Sequence, residues 1–318
     1  MKLLLLVGAV LTVGWAADGA YSYDDQAAWG GVCTTGKHQS PIDINKVTDT
    51  VYYGSMISSF GEEVKIEKKT EGLMTVQWDL TDTPIFKNFP DDWPVGQTKG
   101  LQGLQMHVHW GKTRTYGSEH RLNGKQYDGE IHLVTRNLDQ DDENASDYYA
   151  VLGVFIEAVD EGFDLDIDED ADQYISGMVS GRNDAVDLDV LFGQQGTNKH
   201  KNSVFTYEGS LTTPGCDEKV FWQVLEKPVL LSSSYFDGIR EELETVEYNH
   251  RDIQELNGRH ITHRLLNQLH TSEGGQSDSF CKVDCQAAQQ TCMGAMSGTA
   301  ATSLPSLALL FAALVYLM

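Results

Sequence analysis

Two histidines separated by a single residue, His107 and His109, lie in the stretch LQMHVHWG, in which apolar and polar residues alternate. Such alternation is typical of a β-strand, where residues two apart point to the same face and lie about 7 Å apart along the chain. Two imidazoles placed in this way can close on one metal ion. The same spacing also suits an exposed strand face, so the pair alone leaves both interpretations open.

A third histidine, His132, lies in the segment EIHLV, which alternates in the same way. The intervening residues allow an antiparallel strand to return and to bring His132 opposite His107 and His109. Zinc favours neutral imidazole nitrogens in a tetrahedral shell, and catalytic zinc sites leave one position for water. The three histidines therefore predict a catalytic Zn2+ site.

The hydrophobic pattern along the chain predicts mainly β-structure. Alternation at period two recurs at 73–78, 104–110, 130–134 and 150–156, whereas helical periodicity is concentrated at 186–192 and 234–243. The sequence has no internal repeat and no interdomain linker between residues 21 and 269. The expected fold is therefore a single, mostly β domain with short helices.

The 318-residue chain is strongly acidic, with 47 acidic residues, 23 basic residues and a formal net charge of −24. Its 41% of hydrophobic residues is enough for a sizeable core. The acidity argues against nucleic acid as a partner, because phosphate binding requires a basic surface. A solvated acidic surface explains the charge, and a mineral-facing or calcium-attracting surface is an alternative that no sequence feature requires.

The N-terminal residues have the features of a secretory signal peptide. Lys2 precedes an apolar run that small residues follow, so we expect residues 1–17 to be removed. The five cysteines fit an oxidising compartment. Asn144 begins the Asn-Ala-Ser motif of a polar loop and is the expected N-glycosylation site.

The C-terminal run 304–318 is apolar but shorter than the ~20 residues that a spanning helix needs. Small and hydroxyl residues precede it, which is the layout of a glycosylphosphatidylinositol (GPI) signal. We expect residues 298–318 to be removed and the lipid to be attached at Ser297, with a tilted single-pass anchor as the alternative. Residues 271–297 resemble a stalk, and the pairing of its cysteines stays open: Cys281, Cys285 and Cys292.

Five motifs, in order along the chain, resemble those of the α-class carbonic anhydrases: CTTGKHQSPIDI, QMHVHWG, GSEHRLNGKQYDGEIHLV, GSLTTPGC and LNGRHI. The resemblance covers nearly all of residues 21–269, and the extracellular, GPI-anchored members are the expected type. It implies a catalytic domain, residues 20–270, around a large, mainly antiparallel, twisted sheet. It also implies a zinc lyase at the cell exterior that converts carbon dioxide reversibly to bicarbonate and a proton.

The resemblance makes the three histidines the zinc ligands and assigns partners to their outer ring nitrogens. Gln105 is expected to hold His107, and Glu130 is expected to accept the ring N–H of His132. Such partners fix the tautomer of a ligand histidine.

The resemblance also assigns roles around the substrate. Thr212 is expected to accept a hydrogen bond from the attacking hydroxide and to donate its own proton to Glu119, because an ionised carboxylate can only accept. Thr213 is expected to contact bicarbonate or ordered water. Carbon dioxide is expected to wait against an apolar wall formed by Val134, Val151, Leu211 and Trp222.

Two further positions concern the disulfide and proton export. Cys33 and Cys216 match the disulfide typical of extracellular family members. Fast members carry a proton-shuttling histidine in the cleft, and here the matching position is Met74, or Leu73 if the register is shifted by one. Neither residue carries a proton, so we expect proton export to be slowed.

Two other functional classes remain to be weighed. A non-catalytic binding or adhesion ectodomain of this type would lack a zinc ligand, yet all three are present. An acidic matrix protein with residual hydratase activity would carry a long low-complexity insertion, which the sequence lacks. The expected partners are carbon dioxide, bicarbonate and, through a lipid anchor, the membrane; bicarbonate transporters are a further candidate without a specific signal.

Overall fold

The computed structural model describes residues 21–53, 63–70, 73–87, 89, 93–160, 177–178, 184–188, 203–241 and 246–266. All of them belong to Met1–His270, the first of two units into which the chain divides. The second unit is Thr271–Met318. Several predicted features lie outside the described residues: the signal peptide 1–17, the stalk 271–297, Cys281, Cys285, Cys292, Ser297 and the segment 298–318.

Short β-strands dominate the described residues. They are β1 (Asp43–Ile44), β2 (Asp49–Tyr53), β3 (Val64–Lys69), β4 (Gln77–Leu80), β5 (Ile85–Phe86), β6 (Leu101–Trp110), β7 (Arg121–Leu122), β8 (Gly129–Asn137), β9 (Tyr149–Val159), β10 (Ala185–Val186), β11 (Val204–Gly209), β12 (Val220–Leu225), β13 (Val229–Ser232) and β14 (Thr262–Leu266).

Within the described ranges, helices are few and short. A 3-10 turn covers Gln26–Trp29, α1 covers Val32–Thr35 and α2 covers Ser233–Glu241. Helix α2 corresponds to the helical periodicity at 234–243. Among the described residues, no helix is long and apolar enough to cross a membrane.

Twelve strands form one sheet in the order β10-β3-β4-β6-β8-β9-β12-β11-β14-β2, with β5 beside β6 and β13 beside β9. The central neighbours β4, β6, β8 and β9 run antiparallel. Strand β9 pairs in parallel with β12 and β13, and β2 pairs in parallel with β14. The predicted fold class, mostly β around a large and mainly antiparallel sheet, is confirmed.

Strands β6, β8 and β9 lie at the centre of the sheet, and nearly all of their residues are buried. On one face, Met106 and Val108 of β6 pack with Ile131 and Leu133 of β8 in one hydrophobic cluster. Because side chains alternate between the faces of a strand, the residues between them point to the other face. The histidines of both strands therefore share the face opposite this cluster.

A one-residue irregularity in β6 sets its register against β8. The register shifts between Gly103 and Gln105, so that Leu104 is the extra residue of a bulge. A slip of one residue moves every following side chain to the opposite face of the sheet. Beyond the bulge, His107 lies directly opposite His132, which is the antiparallel return that the sequence predicts.

Two element predictions differ from the structure. The predicted strand 73–78 begins only at Gln77, because the preceding residues leave the sheet. The helical periodicity at 186–192 includes Val186, which instead belongs to β10 and pairs with Val64 of β3. Pairing with β3 overrides the local pattern there. The residues of this segment after Leu188 lie outside the described residues.

The predicted disulfide between Cys33 and Cys216 is confirmed. It joins α1 to the turn that follows Thr212 and Thr213, across a sequence separation of 183 residues. In the chain-entropy account, closing so long a loop stabilises the folded state by at most about 5 kcal/mol. The bond therefore ties the N-terminal segment to the loop that carries the predicted gating hydroxyl.

Candidate metal centre and cleft

Three imidazoles converge on the buried face of β6 and β8. The ring centroids of His107 and His109 are 4.9 Å apart, and those of His132 lie 5.1 Å and 4.6 Å from them. Their candidate ligand atoms all lie within 4.8 Å of one another. The exposed fractions of the three residues are 7%, 1% and 1%. The structure therefore brings the three predicted ligands together.

Two side chains hold the outer nitrogens of two of these rings. Oε1 of Gln105 lies 2.9 Å from Nδ1 of His107. Oε1 of Glu130 lies 2.9 Å from Nε2 of His132. Both contacts are those expected from the sequence. Because a carbonyl or carboxylate oxygen can only accept, each outer nitrogen carries the ring proton.

The outer nitrogen of His109 is held by a residue that the sequence analysis missed. Its Nδ1 lies 2.7 Å from the backbone carbonyl oxygen of Asn249. This acceptor belongs to the main chain and is 140 residues away along the sequence. No side-chain type could have indicated it, so only the tertiary structure reveals it.

The remaining ring nitrogens point toward one another with their lone pairs. Nδ1 of His132 and Nε2 of His107 are 3.3 Å apart. Nε2 of His109 is buried and has no hydrogen-bond partner among the described residues. Lone pairs that face each other in a buried space repel unless a cation lies between them. Neutral imidazole nitrogens are the donors that zinc favours, so these residues fit a zinc ion.

The pKa values of the three histidines favour the neutral form that binds a metal. Burial lowers the pKa of His107 well below its usual range and lowers that of His109 to about 4. Burial also lowers the pKa of His132, although the neighbouring Glu130 opposes this effect. The rings therefore stay unprotonated at neutral pH and below.

Glu130 is itself held by a second buried network, which the sequence analysis also missed. Its Oε1 lies 2.7 Å from Nδ1 of His120, and its Oε2 accepts the backbone N–H of His120 at 2.8 Å. Nε2 of His120 lies 2.6 Å from the hydroxyl of Tyr207. Because these groups satisfy one another, the cluster of His120, Glu130 and His132 supports the ligand and is not a second metal site.

A glycine makes room for this network. Gly153 of β9 lies opposite His132 of β8, and a Cβ atom there would lie 2.9 Å from Oε1 of Glu130. That is closer than real Cβ contacts come. Gly153 therefore leaves space for the carboxylate that orients His132.

Glu119 lies beside two of the inner nitrogens. Its Oε2 is 3.4 Å from Nε2 of His109 and 3.8 Å from Nδ1 of His132. Burial raises the pKa of this carboxyl to about 7, although His132, the side chain of Thr212 and the backbone N–H of Arg251, which donates to Oε1 at 2.8 Å, lower it. Thr212 therefore lies near Glu119, and its hydrogen bond to the carboxylate stays a prediction.

A cleft opens above the histidines. The expected apolar wall lies in its lining: Val134, Val151, Leu211 and Trp222. Thr212 and Thr213 line it beside the histidines. Trp222 also packs against His132, with ring centroids 4.8 Å apart. The structure thus places an apolar surface directly next to the candidate metal centre.

Leu73 and Met74 line the same cleft. Met74 is half-buried and packs against the main hydrophobic cluster. Among the described lining residues, the three candidate ligands are the only histidines. Tyr21 and Tyr23 also line the cleft, but burial raises their pKa values above the usual value of 10. Neither phenol exchanges a proton readily at neutral pH.

Comparison with known proteins agrees with this geometry. The family model described as eukaryotic-type carbonic anhydrase matches residues 24–265. A Caenorhabditis elegans protein with a carbonic anhydrase name is 29% identical over 268 residues, which are 78% of this chain and 99% of the relative. Mouse carbonic anhydrase 7 is 33% identical over 227 residues, 68% of this chain and 81% of the relative. Rat carbonic anhydrase 4 is 31% identical over 186 residues, 52% of this chain and 58% of the relative.

The lowered histidine pKa values predict how zinc affinity depends on pH. If the three histidines had the ordinary pKa of about 6.5, zinc affinity would fall roughly fifty-fold when the pH is lowered from 7.5 to 6, because each ring must lose its proton to bind zinc. Here we expect a loss of less than about tenfold, because burial keeps the rings neutral over this interval. The remaining loss comes from protonation of Glu119, whose pKa of about 7 lies within the interval.

Competition with a chelator, corrected for the chelator's own protonation, measures this affinity. If zinc affinity fell by roughly fifty-fold, as for three ordinary histidines, the result would contradict the conclusion that burial keeps these rings neutral.

Proposed function

The chain belongs to the eukaryotic-type carbonic anhydrases, zinc lyases that hydrate carbon dioxide reversibly, and we propose that His107, His109 and His132 hold the zinc ion of this reaction. One observation carries the proposal. The outer nitrogen of each ring meets an acceptor oxygen, so the three inner nitrogens are left as lone-pair donors in one buried space. The three histidines line the cleft, through which substrate would approach.

The metal supplies a Lewis acid that activates water as a nucleophile near neutral pH, and carbonic anhydrase is itself the standard example of that chemistry. The protein supplies orientation. A positive charge beside Glu119 favours its ionised form, which can only accept a hydrogen bond. Thr212 must therefore donate its single hydroxyl proton to Glu119. The oxygen of Thr212 is then left to accept a hydrogen bond from the nucleophile, which fixes its direction.

The apolar wall supplies the place for carbon dioxide. The molecule has no net dipole, so it gains little from polar groups and loses little by leaving water. Val134, Val151, Leu211 and Trp222 offer it such a surface beside the histidines. Thr213 also lines the cleft, and in this proposal it contacts bicarbonate or ordered water.

The test compares zinc content and hydration in the intact ectodomain and in a His107→Ala variant. We expect the wild type to hold one zinc per chain and to hydrate carbon dioxide, and the variant to lose both properties because one of three ligands is gone. His260→Ala is the matched control, since His260 is a largely exposed histidine near Asp49. Stoichiometric zinc without hydration would instead favour a non-catalytic ectodomain.

We further propose that proton export limits turnover. By the motif resemblance Met74, or Leu73 if the register is shifted by one, matches the shuttling histidine, and both residues line the cleft. The titratable groups in the described lining do not exchange protons readily at neutral pH. Product protons must therefore reach small buffer molecules that enter the cleft.

Met74→His tests this step. In dilute buffer we expect its turnover to exceed that of the wild type several-fold, because an imidazole with a pKa near neutrality can relay the proton. Concentrated imidazole buffer should remove the difference. Met74→Gln, which is polar but does not titrate, should behave like the wild type. Wild-type turnover that does not depend on buffer concentration would show that another relay exists.

We also propose that the enzyme acts at the outer surface of the cell, attached through GPI at Ser297. The layout of residues 298–318 and the N-terminal residues 1–17 support this assignment. The Cys33–Cys216 disulfide fits an oxidising compartment. Asn144 is exposed in the loop between β8 and β9, where a glycan can be attached.

Phosphatidylinositol-specific phospholipase C tests the attachment. When it is applied to intact cells that express the full chain, the phospholipase should release the protein, because it cleaves the lipid and not the polypeptide. A version without residues 304–318 should be secreted into the medium instead. A protein that resists release, with residues 304–318 found by mass spectrometry, would favour the single-pass anchor.

A further inference from the structure

Strand β6 has an incomplete edge next to the candidate metal centre. On its side facing β4, the ladder ends where His107 lies opposite Gln77. Among the described residues, no strand pairs with Val108 or Trp110 on this side of β6. Both residues are buried, with exposed fractions of 1% and 0%. Buried backbone N–H and C=O groups cost free energy unless they find partners. The partners of these two residues therefore have to come from elsewhere.

At Val108 one hydroxyl contacts both backbone groups. Oγ1 of Thr75 accepts a hydrogen bond from the backbone N–H of Val108 at 3.3 Å and donates one to its carbonyl oxygen at 2.5 Å. A single side chain thus does what a paired strand residue does with its N–H and C=O. Val108 stands between His107 and His109, so this contact holds the backbone that carries both.

At Trp110 the partner is Asn249, which is fully buried. Its Oδ1 accepts the backbone N–H of Trp110 at 2.6 Å, and its own N–H donates to the Trp110 carbonyl at 3.1 Å. Its Nδ2 donates to the carbonyl oxygens of Val108 at 2.9 Å and Met74 at 3.0 Å. The same residue therefore links β6 to the cleft wall at Met74.

We propose that the side chains of Thr75 and Asn249 replace a missing strand along β6, and that they are positioning residues for the histidines and for the cleft wall. The proposal rests on the proposed function, because it assumes that His107 and His109 bind zinc. Residues 73–75 lie outside the ladder and line the cleft. A metal site tolerates only about 0.5 Å of displacement, so the backbone on either side of Val108 must stay fixed.

Three substitutions separate positioning from general stability. Thr75→Val keeps the shape of the side chain and removes both hydrogen bonds, whereas Thr75→Ser retains the hydroxyl. Thr135→Val is the matched control, because Thr135 is a buried threonine of β8 whose hydroxyl likewise donates to a backbone carbonyl oxygen, that of Ala150 at 2.6 Å. The hydroxyl of Thr135 makes no contact with the backbone of β6 at the histidines.

The measurements are the rate of zinc loss to excess chelator and the visible absorption spectrum of the protein loaded with Co2+. We expect Thr75→Val to lose zinc roughly tenfold faster, as for other residues that orient metal ligands indirectly, and to show an altered cobalt spectrum. Thr75→Ser should stay within about twofold of the wild type, since it keeps the hydroxyl. Thr135→Val should match the wild type in both measurements.

A Thr75→Val variant that keeps the wild-type rate and spectrum overturns the proposal while the proposed function stands. A wild type that retains no zinc overturns both.

The wild type alone gives an independent measurement if Thr75→Val does not fold. The amide hydrogen of Val108 should exchange with solvent as slowly as amides within the β6 ladder. Fast exchange would overturn the proposal.

Discussion

Three imidazole lone pairs that face one another in a buried space constrain the whole structure. Repulsion among them is relieved only by a cation, so the folded chain is completed by a positive charge. The constraint fixes the protonation of each ring and places an acceptor oxygen behind each one. Gln105, Glu130 and the carbonyl of Asn249 are those acceptors. The surrounding sheet holds all of these groups in place at once.

Burial controls the electrostatics of the site in two opposite ways. It lowers the pKa values of the histidines and raises that of Glu119 to about 7, because both shifts favour the neutral form of a buried group. Glu130 differs: burial would raise its pKa, but His120 and His132 lower it well below the usual range. Glu130 is thus kept ionised by its histidine partners before any metal is bound, whereas the ionisation of Glu119 depends on the metal.

The cleft exists because the sheet is interrupted in a controlled way. Strand β4 begins only at Gln77, so the preceding residues can turn away and form a wall. An open edge would expose polar backbone beside the reaction centre, and side-chain hydrogen bonds from Thr75 and Asn249 satisfy it instead. The apolar wall on the other side is part of the second hydrophobic cluster, to which Val134, Val151 and Trp222 belong. The apolar wall of the cleft is therefore also part of the hydrophobic core.

The sequence by itself determined the chemistry of the site. Alternation around His107, His109 and His132 predicts strands and a shared face, because the period of a strand is a local property. Motif resemblance supplied Gln105, Glu130, Glu119, Thr212 and the apolar wall, and these lie around one cleft in the structure. The disulfide between Cys33 and Cys216 was predicted by the same route.

Only the tertiary structure decided how these residues meet. The bulge at Leu104 determines that β6 presents its histidines to the face of His132, and a register is a relation between two strands. The backbone carbonyl of Asn249 accepts from a ring of His109, and the hydroxyl of Thr75 accepts from the backbone N–H of Val108. No residue pattern in the sequence indicates either contact. Val186, at the start of the segment with helical periodicity, lies in β10 because β3 is there to pair with it. Contacts between distant segments depend on packing, and packing is not written in any local stretch of sequence.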